Sequence, residues 1–523
     1  MRGLITRIRN HAAVSGVIAL VLIASATPGL ARADEVPGPI LTPKPGPAAK
    51  LNGPKVYGAR PGHFFIYRIP CTGVRPIRFS AEGLPASLRL NKSTGIISGT
   101  APERPGDYPI TLHASNKKGK SVRPFKLVVG DTLALTPPMG WNDWYTYYNR
   151  ITDKVIRAAA DAMIASGMAD FGYQYVDIDD CWMRKPNSED PALGGTQRSA
   201  TGAILPNDRF PDMNGLTAYI HERGLKAGIY TGPGPLTCGR FTASYGHEQA
   251  DAQQFADWGF DFLKYDLCSY RRVFQLKTVE DDQKPYKLMG GILANLNRDI
   301  VFNLCQYGRA DVWNWGAEVH GNLWRTTGDL GAVRGAQLPG FYKIAFTNAE
   351  HFANAGPGHW NDPDYILIGY VGNAFHDADP PKRSALTPDE QYSYMSMWSL
   401  MASPLFYSGV MTQLDAFTLN VLCNSEVIDI DQDVLGKQAV IVRHTANDFV
   451  LSKPLEDGTL AVGLFNLADT KDKLTVEWEE LGLKGRYRVR DVWQQKDLGN
   501  AEDEFSADVN PHGVVYVHLA HAE

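Results

Sequence analysis

The chain has 523 residues, of which 44% are hydrophobic and 21% are charged, a balance typical of packed globular proteins rather than disordered ones. At roughly 150 residues per domain, this length predicts about three domains. The formal net charge of −5 argues against nucleic acid as the main partner, because binding phosphates requires a basic face. Six cysteines are too few for a disulfide-dense scaffold.

The first 33 residues have the three-part pattern of a secretory signal peptide. Three arginines precede an apolar run over residues 12–26, and an Ala-x-Ala-like cleavage site follows at residues 31–33. The run of about 15 residues is shorter than the ~20 that span a bilayer, so an uncleaved anchor is the weaker interpretation. We therefore expect a secreted or periplasmic protein that is not held in a membrane.

Two segments of different texture follow. Residues 34–50 contain five prolines and are predicted to form an extended linker. Residues 51–131 hold short β-type runs between Gly, Pro and Asn turns, which predicts a small β-sandwich. Gly-Leu-Pro-Ala-Ser-Leu at residues 83–88 and Thr-Gly-Ile-Ile-Ser-Gly-Thr at residues 94–100 resemble an immunoglobulin-like module of secreted glycosidases. We expect a spacer or binding role for this module, without chemistry.

Strands and helices alternate through residues 132–437. The strands are predicted at residues 139–144, 173–180, 225–230, 260–266, 300–305, 323–326, 405–408 and in a segment ending at residue 362. The clearest helices are predicted at residues 153–166, 216–223, 248–258, 287–297 and 388–401. Eight such units favour a (β/α)₈ TIM barrel. A doubly wound open sheet is the alternative, but no Gly-x-Gly-x-x-Gly follows the first strand.

The pattern returns to β alternation over residues 438–523. Strands are predicted at residues 439–443, 460–465, 487–493 and 514–519, with no helix-length periodic segment between them. The sequence thus predicts an α/β protein: a (β/α)₈ barrel flanked by an N-terminal Ig-like β-sandwich and a C-terminal antiparallel β-sandwich domain.

Polar residues gather where the predicted barrel strands end. They are Asp143 and Trp144, Asp179 and Asp180, Tyr230, Lys264 and Asp266, Gln306, Arg325 and Asp329, and Asp362 and Asp364. The active site of a parallel barrel lies at the carboxyl ends of its strands. Because carboxylates placed together disfavour one another's charge, such a set on one rim indicates function.

Paired carboxylates point to glycoside hydrolysis, in which one acts as nucleophile and the other as general acid. A metal hydrolase is the enzymatic alternative, but none of the 13 histidines forms a His-x-His motif or lies at the end of a predicted barrel strand. A serine hydrolase would need a Gly-x-Ser-x-Gly elbow, which the chain lacks. A non-enzymatic alternative is a carbohydrate-binding protein built on an inactive barrel.

Six motifs occur in the order of a known family. They are Met-Gly-Trp-Asn at residue 139, Ile-Asp-Asp-Cys-Trp at 178, Gly-Leu-Lys-Ala-Gly-Ile-Tyr at 224, Leu-Lys-Tyr-Asp-Leu-Cys at 263, Trp-Arg-Thr-Thr-Gly-Asp at 324 and Gly-His-Trp-Asn-Asp-Pro-Asp at 358. Together they resemble glycoside hydrolase family 27, the α-galactosidases and α-N-acetylgalactosaminidases. The resemblance covers about residue 135 to the end. It implies a (β/α)₈ barrel, a C-terminal β-domain, and a retaining mechanism without metal or cofactor.

The resemblance also implies residue roles. Asp266 would be the nucleophile and Asp329 the acid/base. The substrate-binding residues would be Asp179 and Asp180 on the 4- and 6-hydroxyls, Trp144 stacked on the sugar, Tyr230 on the pocket wall, Lys264 near the 3-hydroxyl, and Arg325 and Asp364 on the 2-hydroxyl side. Cys238 and Cys268 would form a disulfide beside the nucleophile, and the other four cysteines (Cys71, Cys181, Cys305 and Cys423) are expected to be free.

The expected substrate carries a terminal α-galactosyl group. Gln306 stands where many galactosidases have Glu, and its amide would bind a hydroxyl but crowd an acetamide. Asp179 and Asp180 together favour a hexose, because a carboxylate awaiting the absent 6-hydroxyl of arabinopyranose would be left unpaired. Tyr365 replaces a Met of many members and would reshape the pocket wall. A β-L-arabinopyranosidase, an α-N-acetylgalactosaminidase and an isomalto-dextranase remain open as alternatives within the family.

Overall fold

The computed structural model describes residues 38–331, 335, 337–372 and 380–522. The described chain belongs to one compact unit. The predicted signal peptide, residues 1–33, lies outside the described residues. No helix in the described part of the chain combines the length and apolarity that crossing a membrane requires.

Eight parallel strands form the centre of the molecule. They are β1 (Met139–Asn142), β2 (Tyr175–Asp177), β3 (Lys226–Thr231), β4 (Phe262–Asp266), β5 (Val301–Cys305), β6 (Leu323–Arg325), β7 (Trp360–Asp362) and β8 (Leu405–Tyr407). From β1 to β7 each strand pairs with its sequence neighbour, and β8 pairs with β1. Nearly every residue in these strands is buried, which explains why they stand out in the sequence as apolar runs.

The barrel closes beyond the end of β7. Ile366 forms a parallel bridge with Tyr407 of β8, and its N–H donates to the Phe406 carbonyl at 2.7 Å. Between β7 and this bridge, Pro363 has no N–H to donate, and Asp364 has a φ of +84°. The interruption directs Asp364 and Tyr365 to the carboxyl end of the barrel. The (β/α)₈ prediction is confirmed.

Helices cover the barrel. They span Trp144–Tyr147, Asp153–Ala165, Met213–Glu222, Glu248–Trp258, Val279–Ala294, Gly340–Ala349, Pro388–Leu400, Ala416–Leu422 and Ser425–Asp431. The sequence placed the start of the fifth helix at residue 287, eight residues late. This helix begins with a capping box between Thr278 and Asp281 and includes Pro285. Because proline usually ends a helical pattern, the sequence pattern does not predict the first turns of this helix.

The N-terminal module consists of β-strands alone. Its longer strands are Val56–Ala59, Phe64–Arg68, Arg78–Glu82, Leu88–Leu90, Ile96–Thr100, Gly106–Asn116 and Gly119–Val129, with short pieces at Lys50–Leu51 and Cys71–Thr72. They form a four-stranded and a three-stranded sheet, and side chains such as Phe65 and Leu127 from both sheets share one core. This matches the predicted β-sandwich.

The N-terminal module docks at the amino end of the barrel strands, away from the polar rim. Asp299, two residues before β5, accepts hydrogen bonds from the N–H and Nε of Arg60 at 3.0 and 2.9 Å, and Nδ1 of His63 lies 2.8 Å away. Part of the proline-rich segment is also attached, because the N–H groups of Leu41 and Thr42 donate to Asn420 Oδ1. The segment predicted as a linker therefore packs on the barrel.

The C-terminal region forms an antiparallel sheet of six strands and a second, two-stranded antiparallel sheet. The six strands are Val440–His444, Asp448–Pro454, Leu460–Asn466, Val514–His521, Arg486–Asp491 and Lys496–Glu502, and the two are Asp472–Glu477 and Glu504–Val509. The sequence predicted four of these eight strands. Strand 496–502 is almost wholly exposed, so it carries no apolar alternation to detect. Trp493 Nε1 donates to Ser396 Oγ at 2.9 Å, which connects the sheet to the barrel helix Pro388–Leu400.

Candidate active site

The carboxyl ends of the barrel strands bring the predicted acidic residues together. Asp266 is the last residue of β4, and Asp329 follows β6 by four residues. Asp266 is 5% exposed, whereas the Asp329 side chain is 31% exposed. The two carboxyls are near enough for the charge of Asp329 to raise the pKa of Asp266. One is thus enclosed and the other open to an incoming group.

Two tyrosines hold the carboxylate of Asp266. The Tyr307 hydroxyl donates to Oδ1 at 2.5 Å, and the Tyr230 hydroxyl donates to Oδ2 at 3.2 Å. Burial raises the pKa of Asp266 to about 6, although the charge of Lys264 and the Tyr307 hydrogen bond oppose the rise. The carboxyl is therefore mostly ionised at pH 7.

Arg325 forms ion pairs with two carboxylates of the rim, Asp329 and Asp364. Its Nη2 lies 3.1 Å from Asp329 Oδ1 and 3.1 Å from Asp364 Oδ2. The Tyr145 hydroxyl and the Leu330 N–H also donate to Asp364 Oδ2, at 2.7 and 3.0 Å. Because Arg325 is only 3% exposed, its guanidinium is fixed in place, and it orients the accessible Asp329.

Asp179 and Asp180 lie beyond the end of β2. Asp179 Oδ2 accepts from Lys264 Nζ at 2.8 Å, from Asn142 Nδ2 at 2.9 Å and from the Tyr365 hydroxyl at 3.3 Å. Asp180 accepts backbone N–H groups from Cys181 and Gly239. Burial raises the pKa of Asp180 to about 7. The two acids are rigid acceptors at the base of the site.

Trp144 and the disulfide border this group. Trp144 is half-buried and makes an edge contact with Tyr148, with ring centroids 5.1 Å apart. Cys238 and Cys268 form a disulfide with a Cα–Cα distance of 5.1 Å, and the other four cysteines are free. The two sulfurs lie close to Asp266. Because they are bonded to each other in the disulfide, neither is a thiolate that could bind a metal there.

Gln306 is held by hydrogen bonds to the backbone. It is 1% exposed, its Nε2 donates to the Arg325 carbonyl at 3.1 Å, and its Oε1 accepts from the Arg309 N–H at 2.7 Å. Each end of the amide already has a backbone partner, so any contact with a sugar would be an additional bond. Its role in substrate choice stays a prediction.

Sequence reasoning missed Tyr307 and Tyr145. Both contact acidic residues of the site through their hydroxyls, and both follow predicted barrel strands, Tyr145 directly after residue 144 and Tyr307 two residues after residue 305. An aromatic residue directly before a glycine in the loop after β5 was the available signal for Tyr307.

Three family models match the chain. The one described as "Alpha galactosidase A" matches residues 136–433, more than half of the chain. The chain belongs to glycoside hydrolase family 27, the α-galactosidase family. In this family member, residues 449–519 match "Alpha galactosidase C-terminal beta sandwich domain" and residues 52–130 match "Putative Ig domain". The predicted family, fold and enzyme class are confirmed.

Relatives of this glycoside hydrolase include plant and bacterial proteins. An α-galactosidase of Cyamopsis tetragonoloba is 35% identical over 385 residues, covering 73% of this chain and 85% of the relative. Alpha-galactosidase A of Cellvibrio japonicus is 32% identical, covering 75% and 93%. The structure of a "putative alpha-galactosidase/melibiase" from Bacteroides fragilis superposes with a TM-score of 0.82 at 34% identity, covering 91% of this chain and 98% of that one.

Proposed function

We propose that this family 27 member is an exo-acting, retaining α-galactosidase that removes terminal α-galactosyl groups from oligo- and polysaccharides. The observation that carries the proposal is the unequal pair of carboxyls. Asp266 is enclosed, held at both oxygens and mostly ionised at pH 7, whereas Asp329 is partly exposed and paired with Arg325. This division suits a nucleophile and an acid/base.

The first step of the proposed reaction forms a covalent intermediate. An oxygen of Asp266 attacks the anomeric carbon while the bond to the leaving oxygen breaks, and Asp329 gives that oxygen a proton. In the second step Asp329 takes a proton from water, the water oxygen bonds to the anomeric carbon, and the bond to Asp266 breaks. Two displacements restore the original anomeric configuration.

The remaining rim residues supply recognition of the sugar. Asp179 and Asp180 offer fixed acceptors to hydroxyls, and Lys264 offers a donor beside them. A half-buried Trp144 provides an apolar platform for a sugar face. Arg325 and Asp364 lie on the side of Asp329, where they would contact the 2-hydroxyl. A site that pairs its polar groups with hydroxyls strongly rejects sugars that lack them.

The names of the relatives support galactose as the sugar. Each of the two curated relatives described above is named an α-galactosidase and shares about a third of its residues with this chain.

We also propose that the protein is exported, because residues 1–33 have the pattern of a signal peptide. A reporter enzyme fused after residue 40 should leave the cytoplasm together with the segment that precedes it. The same fusion without residues 1–33 is the control and should stay inside the cell. Retention of the full fusion in the cytoplasm would contradict export.

A panel of aryl glycosides tests the activity. The p-nitrophenyl glycosides of α-galactose, α-N-acetylgalactosamine, β-L-arabinopyranose and α-glucose should be compared at one enzyme concentration, with and without EDTA. We expect the highest kcat/KM on the α-galactoside, no effect of EDTA, and at least about a thousandfold loss in Asp266→Asn. A higher kcat/KM on another glycoside would show that galactose is not the preferred sugar. An unchanged kcat/KM in Asp266→Asn would show that Asp266 is not the nucleophile.

A further inference from the structure

Tyr307 makes the shortest contact to the carboxylate of Asp266 among the described residues. Its hydroxyl lies 2.5 Å from Oδ1, whereas the Tyr230 hydroxyl lies 3.2 Å from Oδ2. A short hydrogen bond to an ionised acceptor is a strong one. The two oxygens of the same carboxylate therefore differ, one tightly held and the other held loosely.

The backbone fixes Tyr307 in this position. Tyr307 and Gly308 both have left-handed backbone conformations, with φ of +65° and +78°. The Gly308 N–H donates to the Arg325 carbonyl at 3.0 Å, and a Cβ at Gly308 would lie 2.2 Å from the Thr326 carbonyl oxygen. A non-glycine residue in this conformation is strained and persists only where its surroundings enforce it. The turn thus places the phenol ring over the end of β4.

The disulfide also contacts the Tyr307 hydroxyl. The hydroxyl oxygen is 3.4 Å from Cys268 Sγ and 3.7 Å from Cys238 Sγ. Disulfide sulfur is a weak acceptor, so the proton of Tyr307 has one strong acceptor among the described neighbours, the carboxylate oxygen. The geometry is consistent with a donor dedicated to Asp266.

We propose that Tyr307 is a catalytic residue that reserves Oδ1 of Asp266 as the carbonyl oxygen of the glycosyl ester and leaves Oδ2 to attack the sugar. This inference rests on the proposed function, since it needs Asp266 as the nucleophile. When Oδ2 bonds to the anomeric carbon, the carboxylate becomes a neutral ester, and the Tyr307 hydroxyl donates to its carbonyl oxygen. When water displaces the ester, the electron pair of the breaking bond returns to the carboxylate, and Tyr307 again donates to a charged oxygen.

Removing the hydroxyl should therefore affect the second step more than the first. Without Tyr307 the carboxylate is a stronger base, hence a good nucleophile but a poor leaving group. A hydrogen bond to a charged group contributes about tenfold or more to an equilibrium. Breakdown of the intermediate should slow by about tenfold, so kcat and KM should fall together while the plateau of kcat/KM changes little. Loss of this bond should also raise the pKa of Asp266, so the midpoint of the acid limb of kcat/KM should move up by about one pH unit.

The experiment compares Tyr307→Phe with Tyr230→Phe on p-nitrophenyl α-galactoside. Both variants remove one hydroxyl from the same carboxylate, but at different oxygens. We expect Tyr307→Phe to release a burst of nitrophenol close to one equivalent of enzyme, followed by slow turnover with lowered KM. Tyr230→Phe should lower kcat/KM without a burst. Unchanged KM and no burst in Tyr307→Phe, or a burst in Tyr230→Phe alone, would overturn the inference.

A second measurement does not depend on the stability of either variant. A fluorinated α-galactosyl fluoride that forms the intermediate but releases it slowly can be used to trap the wild-type enzyme for crystallography. We expect the sugar on the Asp266 oxygen that faces Tyr230, with the other oxygen within hydrogen-bond distance of Tyr307. A sugar on the oxygen that faces Tyr307 would overturn this inference but keep the proposed function, whereas the absence of an adduct on Asp266 would overturn both.

Discussion

Burial changes the pH range over which two carboxyls of the rim ionise. Burial raises the pKa of Asp266 to about 6, and burial also raises that of Asp180 to about 7. Both carboxyls sit among hydrogen-bond donors that partly offset the loss of solvent. An enclosed nucleophile is thereby less strongly solvated, at the cost of a narrower pH range in which it is ionised.

The raised pKa of Asp266 predicts an acid limb in the activity. The attacking carboxyl must be ionised, and the ionised fraction of Asp266 is complete well above pH 6 and is lost as the pH falls through 6. We expect kcat/KM for p-nitrophenyl α-galactoside to decline toward tenfold per pH unit below about pH 6. Initial rates between about pH 4 and 8 would show this limb, and a limb centred near the ordinary pKa of an aspartate, about 4, would contradict it.

The site is divided between the last residues of the strands, such as Asp266 and Arg325, and the turns beyond them, which carry Asp329 and Tyr307. The sequence predicted the strands well because each is a buried apolar run that ends in polar residues, as β4 does at Asp266. It did not predict Tyr307, because a left-handed conformation at a tyrosine leaves no periodic signal. Nor did it predict that neighbouring backbone groups would occupy the amide of Gln306, since that depends on how the turn folds.

The turn after β5 offers a test at this scale. A Cβ at Gly308 would meet the Thr326 carbonyl oxygen at 2.2 Å, and the residue has a φ of +78°. We expect Gly308→Ala to lower the free energy of unfolding by about 2–4 kcal/mol through overpacking and backbone strain, and to lower kcat by displacing Tyr307. Gly356→Ala is the control, because no atom lies within 4 Å of its added Cβ. Denaturant unfolding measures the free energy of unfolding of both variants. Equal values for the two would contradict the close packing of this turn.

At the scale of the whole molecule, the rim and the N-terminal module occupy opposite ends of the barrel. Asp299 anchors the module through Arg60 and His63 at the amino end of β5. These hydrogen bonds lower the pKa of Asp299, although burial opposes the change. A lowered pKa means that the carboxylate stabilises the folded protein above its ordinary pKa, and that this contribution is lost as the pH falls through the folded value.

Removing the contacts of Asp299 should lower the stability of the protein without changing its activity. We expect Asp299→Ala to lower the free energy of unfolding by about 3 kcal/mol, because the buried guanidinium of Arg60 loses its carboxylate partner and keeps only backbone carbonyl acceptors. The same variant should leave kcat/KM unchanged at room temperature. Asp107→Ala is the matched control in the same module, since its pair with Lys126 is exposed on both sides and should contribute less than about 1 kcal/mol. Thermal unfolding followed by activity assays measures both effects, and a large loss of activity in folded Asp299→Ala would contradict the separation.

The stereochemistry of the released sugar tests the central claim most directly. A covalent intermediate on Asp266 followed by a second displacement by water requires that the first product keep the configuration of the substrate. Proton NMR of an α-galactoside during the first minutes of hydrolysis should show α-galactose appearing first, with the β anomer growing later through mutarotation. Release of β-galactose as the first product would contradict the double displacement.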